Sequence, residues 1–448
     1  MTEPTSTLSS LRRSPLVQIV VIGLLLLVLQ VPVLLIANLV WERENTRREA
    51  VGEISRGWGG AQDAIGPFLV VPYRYKRVER NKEGNLEEVI AESHATFLPR
   101  ALDIKANLAT ETRYRGIFEA PVYRAEVTFS GSFDRPDVSG WELEPESLDW
   151  SRAEIAFEIS DVRAIQNEAG LSWGGRTVPF EPGLGLRASE RAGIHAPVGS
   201  FDGETSDFRV DLQLNGSGSL HFAPLGRQTI TQVSADWPDP SFQGAWLPGE
   251  RQIDAGAFSA EWNIPYLGRN YPQSWRNGEA KAPEVVQSLF GFDLLTPTDG
   301  YRRTERSLKY EVLFVGLTFL TIWLFEVLAG ARIHIIQYGL IGAALCLFYL
   351  LELSLSEHLG FGSAYLLAAV SVVALVAFYA KSVLPEARQG LTVTATTAGL
   401  YAYLYVLIQL QDYALLVGSL GLLLILAAVM YATRGVNWYA PREEKTLA

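Results

Sequence analysis

A chain of 448 residues with 48% hydrophobic and 19% charged side chains carries its charge unevenly. Residues 41–310 hold 30 Lys and Arg against 40 Asp and Glu, so nearly all of the net charge of −11 lies between two apolar flanks. That pattern excludes a wholly soluble enzyme, and it excludes a nucleic-acid binder, which needs a basic surface.

Residues 16–40 form an apolar run broken only by Gln18, Gln30, Pro32 and Asn38. At about 1.5 Å per residue it spans the ~30 Å of bilayer hydrocarbon. Arg12 and Arg13 precede it, as in a secretory signal. The run is longer than a signal h-region and no Ala-x-Ala site follows, so the reading is an uncleaved signal anchor. Residues 42–58 continue with helix formers, and Ala50, Ile54 and Trp58 recur at a spacing of four, which predicts a helical neck.

Glycines and Pro67 then stop the helix, and the first strand is expected at residues 68–72. Ala125, Val127 and Phe129 alternate with polar residues, as do Ile155, Phe157 and Ile159, and then Phe208, Val210, Leu212 and Leu214. Period-two alternation of this kind predicts strands with one buried face. Residues 216–219 look like a hairpin turn leading to a returning strand at 220–223. The Pro- and Gly-rich stretches 167–203 and 237–249 read as long loops, either of which could separate two β subdomains. The expected domain is β-rich, sandwich-like or barrel-like, over residues 41–310.

Five more spans are expected at 312–329, 335–353, 363–380, 391–410 and 413–433, with a tail at 434–448. Arg12, Arg13, Arg332, Lys381, Arg388, Arg434, Arg442 and Lys445 fall on one side of such a six-span arrangement. The opposite short loops, 354–362 and 411–412, contain no Lys or Arg. The positive-inside bias therefore puts both termini in the cytoplasm and residues 41–310 outside. The single Cys346 lies in an apolar run, so no intramolecular disulfide is possible.

The five histidines, His94, His195, His221, His334 and His358, show no metal-ligand spacing, and no phosphate-binding glycine loop or nucleophile elbow is present. No catalytic residue, metal or cofactor is expected. Two polar groups in the apolar half are candidates for function. Glu357 and His358 form a rim pair, which with Glu352 and Asp412 offers carboxylates and imidazole for a metal or a proton. Glu326, Arg332 and His334 form a cluster at the opposite interface, where pairing or snorkelling also explains them. No ionisable pair is expected at mid-membrane depth.

Several stretches are familiar: Ser55-Arg-Gly-Trp-Gly-Gly-Ala-Gln62, Gly66-Pro-Phe-Leu-Val-Val-Pro-Tyr73, Pro121-Val-Tyr-Arg-Ala-Glu126 and the segment from Trp237 to Pro248. Phe325-Glu-Val-Leu328, Arg332-Ile-His334, Gln337-Tyr338, Leu355 to Phe361, Gln409 to Leu416 and Gly418-Ser419 continue the series. In this order they resemble the CreD family of bacterial inner-membrane proteins. The chain departs from that family's usual pattern at Ile335, where a proline is common, and at Glu352, where an apolar residue is usual. The resemblance implies a protein of cell-envelope integrity, associated with a two-component system and with tolerance of colicins and cell-wall antibiotics; it implies no reaction. Partners expected on these grounds are membrane lipids and envelope proteins. The competing readings are a transporter or lipid-handling protein built on the C-terminal helices, and a membrane hydrolase using Glu357 and His358.

Overall fold

The computed structural model describes residues 15–80, 85–141, 147–187, 191–199, 201, 203–276, 281–295, 300–329, 333–384, 386–410 and 413–435. They fall into two compact units: a helical unit of residues 1–46 and 298–448, and a β unit of residues 47–297.

Helix α1 (Pro15–Gly57) is continuous over 43 residues, so the expected span and the expected neck are one helix. Pro32 lies inside it, which a membrane helix tolerates where neighbours satisfy the freed carbonyl. Its end follows from Gly59 and Gly60, with φ of +99° and +69°. The Trp58 and Gly60 amides both donate to the Ser55 carbonyl, at 3.0 and 2.7 Å, and close the last turn.

In chain order the strands are β1 (Gln62–Arg80), β2 (Leu86–Phe97), β3 (Ala101–Arg115), β4 (Phe118–Asp134), β5 (Glu154–Ile159), β6 (Gly170–Trp173), β7 (Arg176–Pro179), β8 (Glu181–Pro182) and β9 (Gly193–Pro197). Then come β10 (Thr205–Ser217), β11 (Ser219–Phe222), β12 (Gln228–Ala235), β13 (Pro240–Gly244), β14 (Glu250–Ile253), β15 (Phe258–Pro265), β16 (Ser274–Arg276), helix α2 (Ala282–Gln287) and β17 (Phe290–Leu294). One sheet runs β13-β17-β11-β1-β5-β9-β8, with β2 on β1 and β16 on β2; the other runs β14-β15-β12-β3-β4-β10-β6-β7. Side chains of both meet in one apolar core. Phe129 on β4 packs edge-on to Phe157 on β5, and Phe258 on β15 to Phe292 on β17, each with ring centroids 5.1 Å apart. The unit is a sandwich of two sheets.

The alternation in β10 is realised as a buried inner row and an exposed outer row. The expected hairpin after it is not formed. At Gly218, φ +79°, the chain leaves one sheet for the other, and β11 pairs in parallel with β1 and antiparallel with β17. Nor are the two expected long loops structureless. Residues 167–203 contain β6 to β9, and 237–249 contain β13. These strands divide between the two sheets, so neither stretch separates β subdomains. Gly66 is required by close approach, since a Cβ there would lie 2.2 Å from the Phe157 ring.

A secreted protein made of residues 47–297 is expected to show a far-ultraviolet dichroism spectrum dominated by strand. Reductant should leave it unchanged, because the chain's cysteine, Cys346, lies in the other unit. A helix-dominated spectrum would overturn the sandwich.

The helical unit continues with α3 (Gly300–Lys309), α4 (Glu311–Ala329), α5 (Ile335–Leu359), α6 (Phe361–Val383), α7 (Ala387–Gln409) and α8 (Ala414–Thr433). Among the described residues six helices, α1 and α4 to α8, are long and apolar enough to cross a membrane. The predicted connection at 354–362 is mostly helix: α5 runs on to Leu359, and Gly360 alone, at φ +75°, turns the chain into α6. Where α1, α4 and α5 meet, a Cβ on Gly342 would lie 2.4 Å from Leu29 Cδ1 and 2.8 Å from Phe319 Cζ. Small residues are what let membrane helices approach this closely.

Candidate functional site

The two rim residues share α5 and remain on its helical turn. Adjacent helical positions point about 100° apart, so Glu357 and His358 do not converge. His358 is exposed. Glu357 instead accepts a hydrogen bond from Tyr301 Oη on α3 at 2.9 Å and lies 3.7 Å from Arg43 Nε on α1. Asp412 and Arg332 lie outside the described residues.

At the other end of α5, His334 is the helix N-cap. Its Nδ1 accepts from the Ile336 amide at 3.3 Å, while Gln337 Oε1 accepts from the His334 amide at 2.8 Å, forming a reciprocal capping box. Glu326 on α4 is buried and accepts from the Ile333 amide at 3.0 Å and from Tyr338 Oη at 3.2 Å. Glu326 and His334 thus serve the connection between α4 and α5, where a buried carboxylate finds backbone and hydroxyl donors.

Between these ends runs a polar line that was not anticipated. Tyr301, Thr304 and Ser307 on α3 and Glu311 at the start of α4 follow one another at intervals of three, three and four, the repeat of one helix face. Tyr301 meets Glu357. Ser307 Oγ donates to Glu352 Oε2 at 2.9 Å, and Ser307, Thr304 and Glu352 are each 0% exposed. Glu311, also 0% exposed, accepts from Gln30 Nε2 on α1 at 3.0 Å, with Cys346 Sγ 3.9 Å from its other oxygen. Along α5, Glu352 lies about 10 Å and Cys346 about 20 Å from the Leu359 end, at ~1.5 Å per residue. Cys346 is close to the middle of this 25-residue helix. The expectation concerned an ionisable pair at mid-depth; the structure places one carboxylate there, Glu311, beside the neutral Gln30.

The β unit contains an ionic network of its own. Arg187 Nε donates to Glu158 Oε1 at 2.7 Å, with the guanidinium stacked 3.5 Å over the Phe68 ring. Arg191 reaches Glu158 Oε2 at 3.4 Å and donates to Asp63 Oδ2 at 2.7 Å. His221 stands between Asp63 Oδ1, at 3.4 Å, and Asp293 Oδ1, at 3.5 Å. Strands β5, β1, β11 and β17 carry Glu158, Asp63, His221 and Asp293, while Arg187 and Arg191 reach them from the stretch between β8 and β9. Burial alone would raise the Asp63 carboxyl, but hydrogen bonds from His221 and Arg191 hold it below the ordinary 3.8. A depressed carboxyl contributes stability above its unfolded value and loses it as pH falls through the folded one. Asp63→Asn is accordingly expected to destabilise the β unit at neutral pH, with the difference from wild type closing well below pH 3.8. Urea denaturation across that range measures it; a difference independent of pH would show that Asp63 acts by packing.

The family profile described as "Inner membrane protein CreD" matches residues 14–439. The inner membrane protein CreD of Escherichia coli strain K12 is 30% identical over 416 residues, covering 92% of this chain and 91% of that one. The chain belongs to the CreD family.

The chain is a multi-pass inner-membrane protein with a large β-rich domain between its first and second spans. The structure of yeast LTA4 hydrolase in complex with bestatin aligns with 79% of this chain and 69% of its own at 10% identity, with a TM-score of 0.23, below that of a shared fold. The CreD-like stretches meet one another in the β unit. Ser55 Oγ lies 2.7 Å from Ser217 Oγ, and Trp58 Nε1 donates to the Tyr123 carbonyl at 3.2 Å. Tyr123, fully buried, donates to the Ser219 carbonyl at 2.7 Å. The CreD-like stretches at 55–62 and 121–126 thus build the junction at which α1 enters the sandwich, and their part there is architectural.

Proposed function

We propose that the chain is a non-enzymatic inner-membrane protein that supports cell-envelope integrity, and with it tolerance of colicins or cell-wall antibiotics, through contacts of its β unit in the periplasm. Membership of the CreD family supports the setting. The basic residues Lys381, Arg388 and Arg434, on the side opposite the α5–α6 turn, support cytoplasmic termini and an outward β unit.

The observation that carries the contact role is the ribbon of β1 and β2. Arg80 faces Leu86, Val78 faces Glu88 and Lys76 faces Ile90 across it. Val78, Leu86 and Ile90 therefore share one face, and they are 58%, 71% and 70% exposed. An apolar row framed by charges on a projecting two-stranded arm is a surface for a protein partner. In a deletion strain, the full chain with Val78→Ser, Leu86→Ser and Ile90→Ser should reach the membrane at normal abundance yet fail to restore envelope tolerance. Full restoration would sink the reading.

A transport role for the helical unit is favoured by one observation, the buried Glu311 level with the middle of α5.

A further inference from the structure

We propose that Glu352 and Glu311 form a proton-binding site inside the helical unit, filled and emptied from the α5–α6 end past Glu357. The inference deepens the transport reading, and its sidedness rests on the orientation given above.

Each carboxyl has only neutral neighbours. Around Glu352 stand Ser307 and Thr304 from α3, Tyr349 from its own helix, Tyr365 from α6 and Tyr401 from α7. Around Glu311 stand Gln30 from α1 and Cys346 and Tyr349 from α5. Among the described residues no basic side chain pairs with either. Lys309, the nearest cation in sequence to Glu311, pairs with Glu305 at 2.9 Å, and Arg306 is turned to the Leu407 and Leu410 carbonyls at 3.2 and 3.5 Å, at the end of α7.

A second observation points to what is bound. Glu352 Oε1 and Thr304 Oγ1 are both buried and both without a hydrogen-bond partner, although Thr304 faces that carboxyl. A carboxylate accepts only, and an unpaired charge in hydrocarbon is costly. The Thr304 hydroxyl can donate to Oε1 but cannot cancel its charge; one proton on Oε1 does so, and its loss restores the carboxylate. No other reactant is needed.

The face of α3 supplies the route. Glu357, held between Arg43 and Tyr301, stands at the mouth. Glu352 lies about two turns in, and Glu311 follows at mid-depth. Beyond Glu311 lie the buried Phe319, Ile322, Ile341 and Leu345, and the buried Thr318 hydroxyl there is taken by the Phe314 carbonyl at 2.9 Å. The line of polar side chains thus reaches Glu311 from the α5–α6 end.

The test uses the full-length protein in sealed right-side-out membrane vesicles, with dicyclohexylcarbodiimide as probe. The acid O–H adds across a carbodiimide C=N bond, and the acyl group then migrates to nitrogen as a stable adduct located by mass spectrometry. The adduct is expected at Glu352 or Glu311 near neutral pH. It should be lost in the Glu352→Gln, Glu311→Gln double variant, and lost from wild type when the pH at the α5–α6 end is raised with the other side held. No adduct at either residue, or one that follows the pH of the opposite side, overturns the proposal. So does protection by sodium at constant pH, which marks a metal-ion site. The wild-type series decides even if the double variant does not assemble. Labelling of Arg388→Cys by an impermeant thiol reagent reports vesicle orientation separately. Exposure of that position outside would overturn the orientation while leaving the site intact, provided the adduct still follows the pH at the α5–α6 end.

Discussion

Arg187→Met is expected to destabilise the β unit by about 3–5 kcal/mol, because it leaves Glu158 buried without its closest cation. For a unit of about 250 residues this lowers the melting temperature by roughly 6–20 °C. The Glu158 and Arg187 side chains are only 3% and 7% exposed, so water cannot replace the lost partner. Arg191 offers Glu158 a second contact at 3.4 Å, but it is also committed to Asp63. The informative comparison is the double variant Glu158→Leu, Arg187→Met. Removing both charges and keeping the volume should recover most of the loss, since a buried ion pair replaced by apolar residues of similar size is often neutral or better. Thermal and urea denaturation of the single and double variants measure it. A single variant within about 1 kcal/mol of wild type would show that the pair is hydrated.

Gly342→Leu is expected to disrupt the helical unit. Even its first side-chain carbon would meet Leu29 Cδ1 at 2.4 Å and Phe319 Cζ at 2.8 Å, on two different helices. Overpacking a tight core costs about 1–3 kcal/mol where the neighbours can adjust. Here Phe319 is itself fixed edge-on to Tyr338, with ring centroids 5.4 Å apart. The expected readout is a lower melting temperature in detergent and a reduced monodisperse yield, with Gly342→Ala intermediate. A wild-type profile for the leucine variant would mean that α1 and α4 can move apart freely.

What could be read in the sequence depended on whether a residue's environment comes from its neighbours in the chain. The spans were legible because continuous apolar runs of that length have few alternatives. Strand β10 was legible because one face is buried and the other exposed, so Phe208, Val210, Leu212 and Leu214 announce their period. Strands β6 to β9 were not. They are short and lie in a Gly- and Pro-rich stretch; β7 and β8 pair only with their neighbours β6 and β9, which strands β10 and β5 from elsewhere hold in the sheets. The network around Asp63 was hidden for the same reason, since His221 reaches it only through the parallel pairing of β1 with β11. Glu311 was misplaced because a charge adjoining an apolar run reads as its boundary. Its depth is set by α3, whose contacts with α5 carry the chain inward before the apolar run begins. Of the named candidates, Glu357 and His358 were read as a pair on the assumption that the helix ends before them; Gly360, two residues later, is where it ends.

The passage of the chain from one sheet to the other at Gly218 bears on how the protein is made. Strand β1 sits between β5 and β11, and its register with β11 pairs Gln62 with Leu220. Synthesis runs from the N-terminus, so Gln62–Ala64, which lead into the apolar segment Ile65–Val71, emerge long before the strand that pairs with them. Until then they present open backbone donors and acceptors beside a hydrophobic surface, the combination that recruits other chains. Pairing across so long a loop is also slow, because closure entropy comes before any contact is gained. Completion of this sheet therefore waits for β11, and the length of the wait is set by the distance in sequence between β1 and β11.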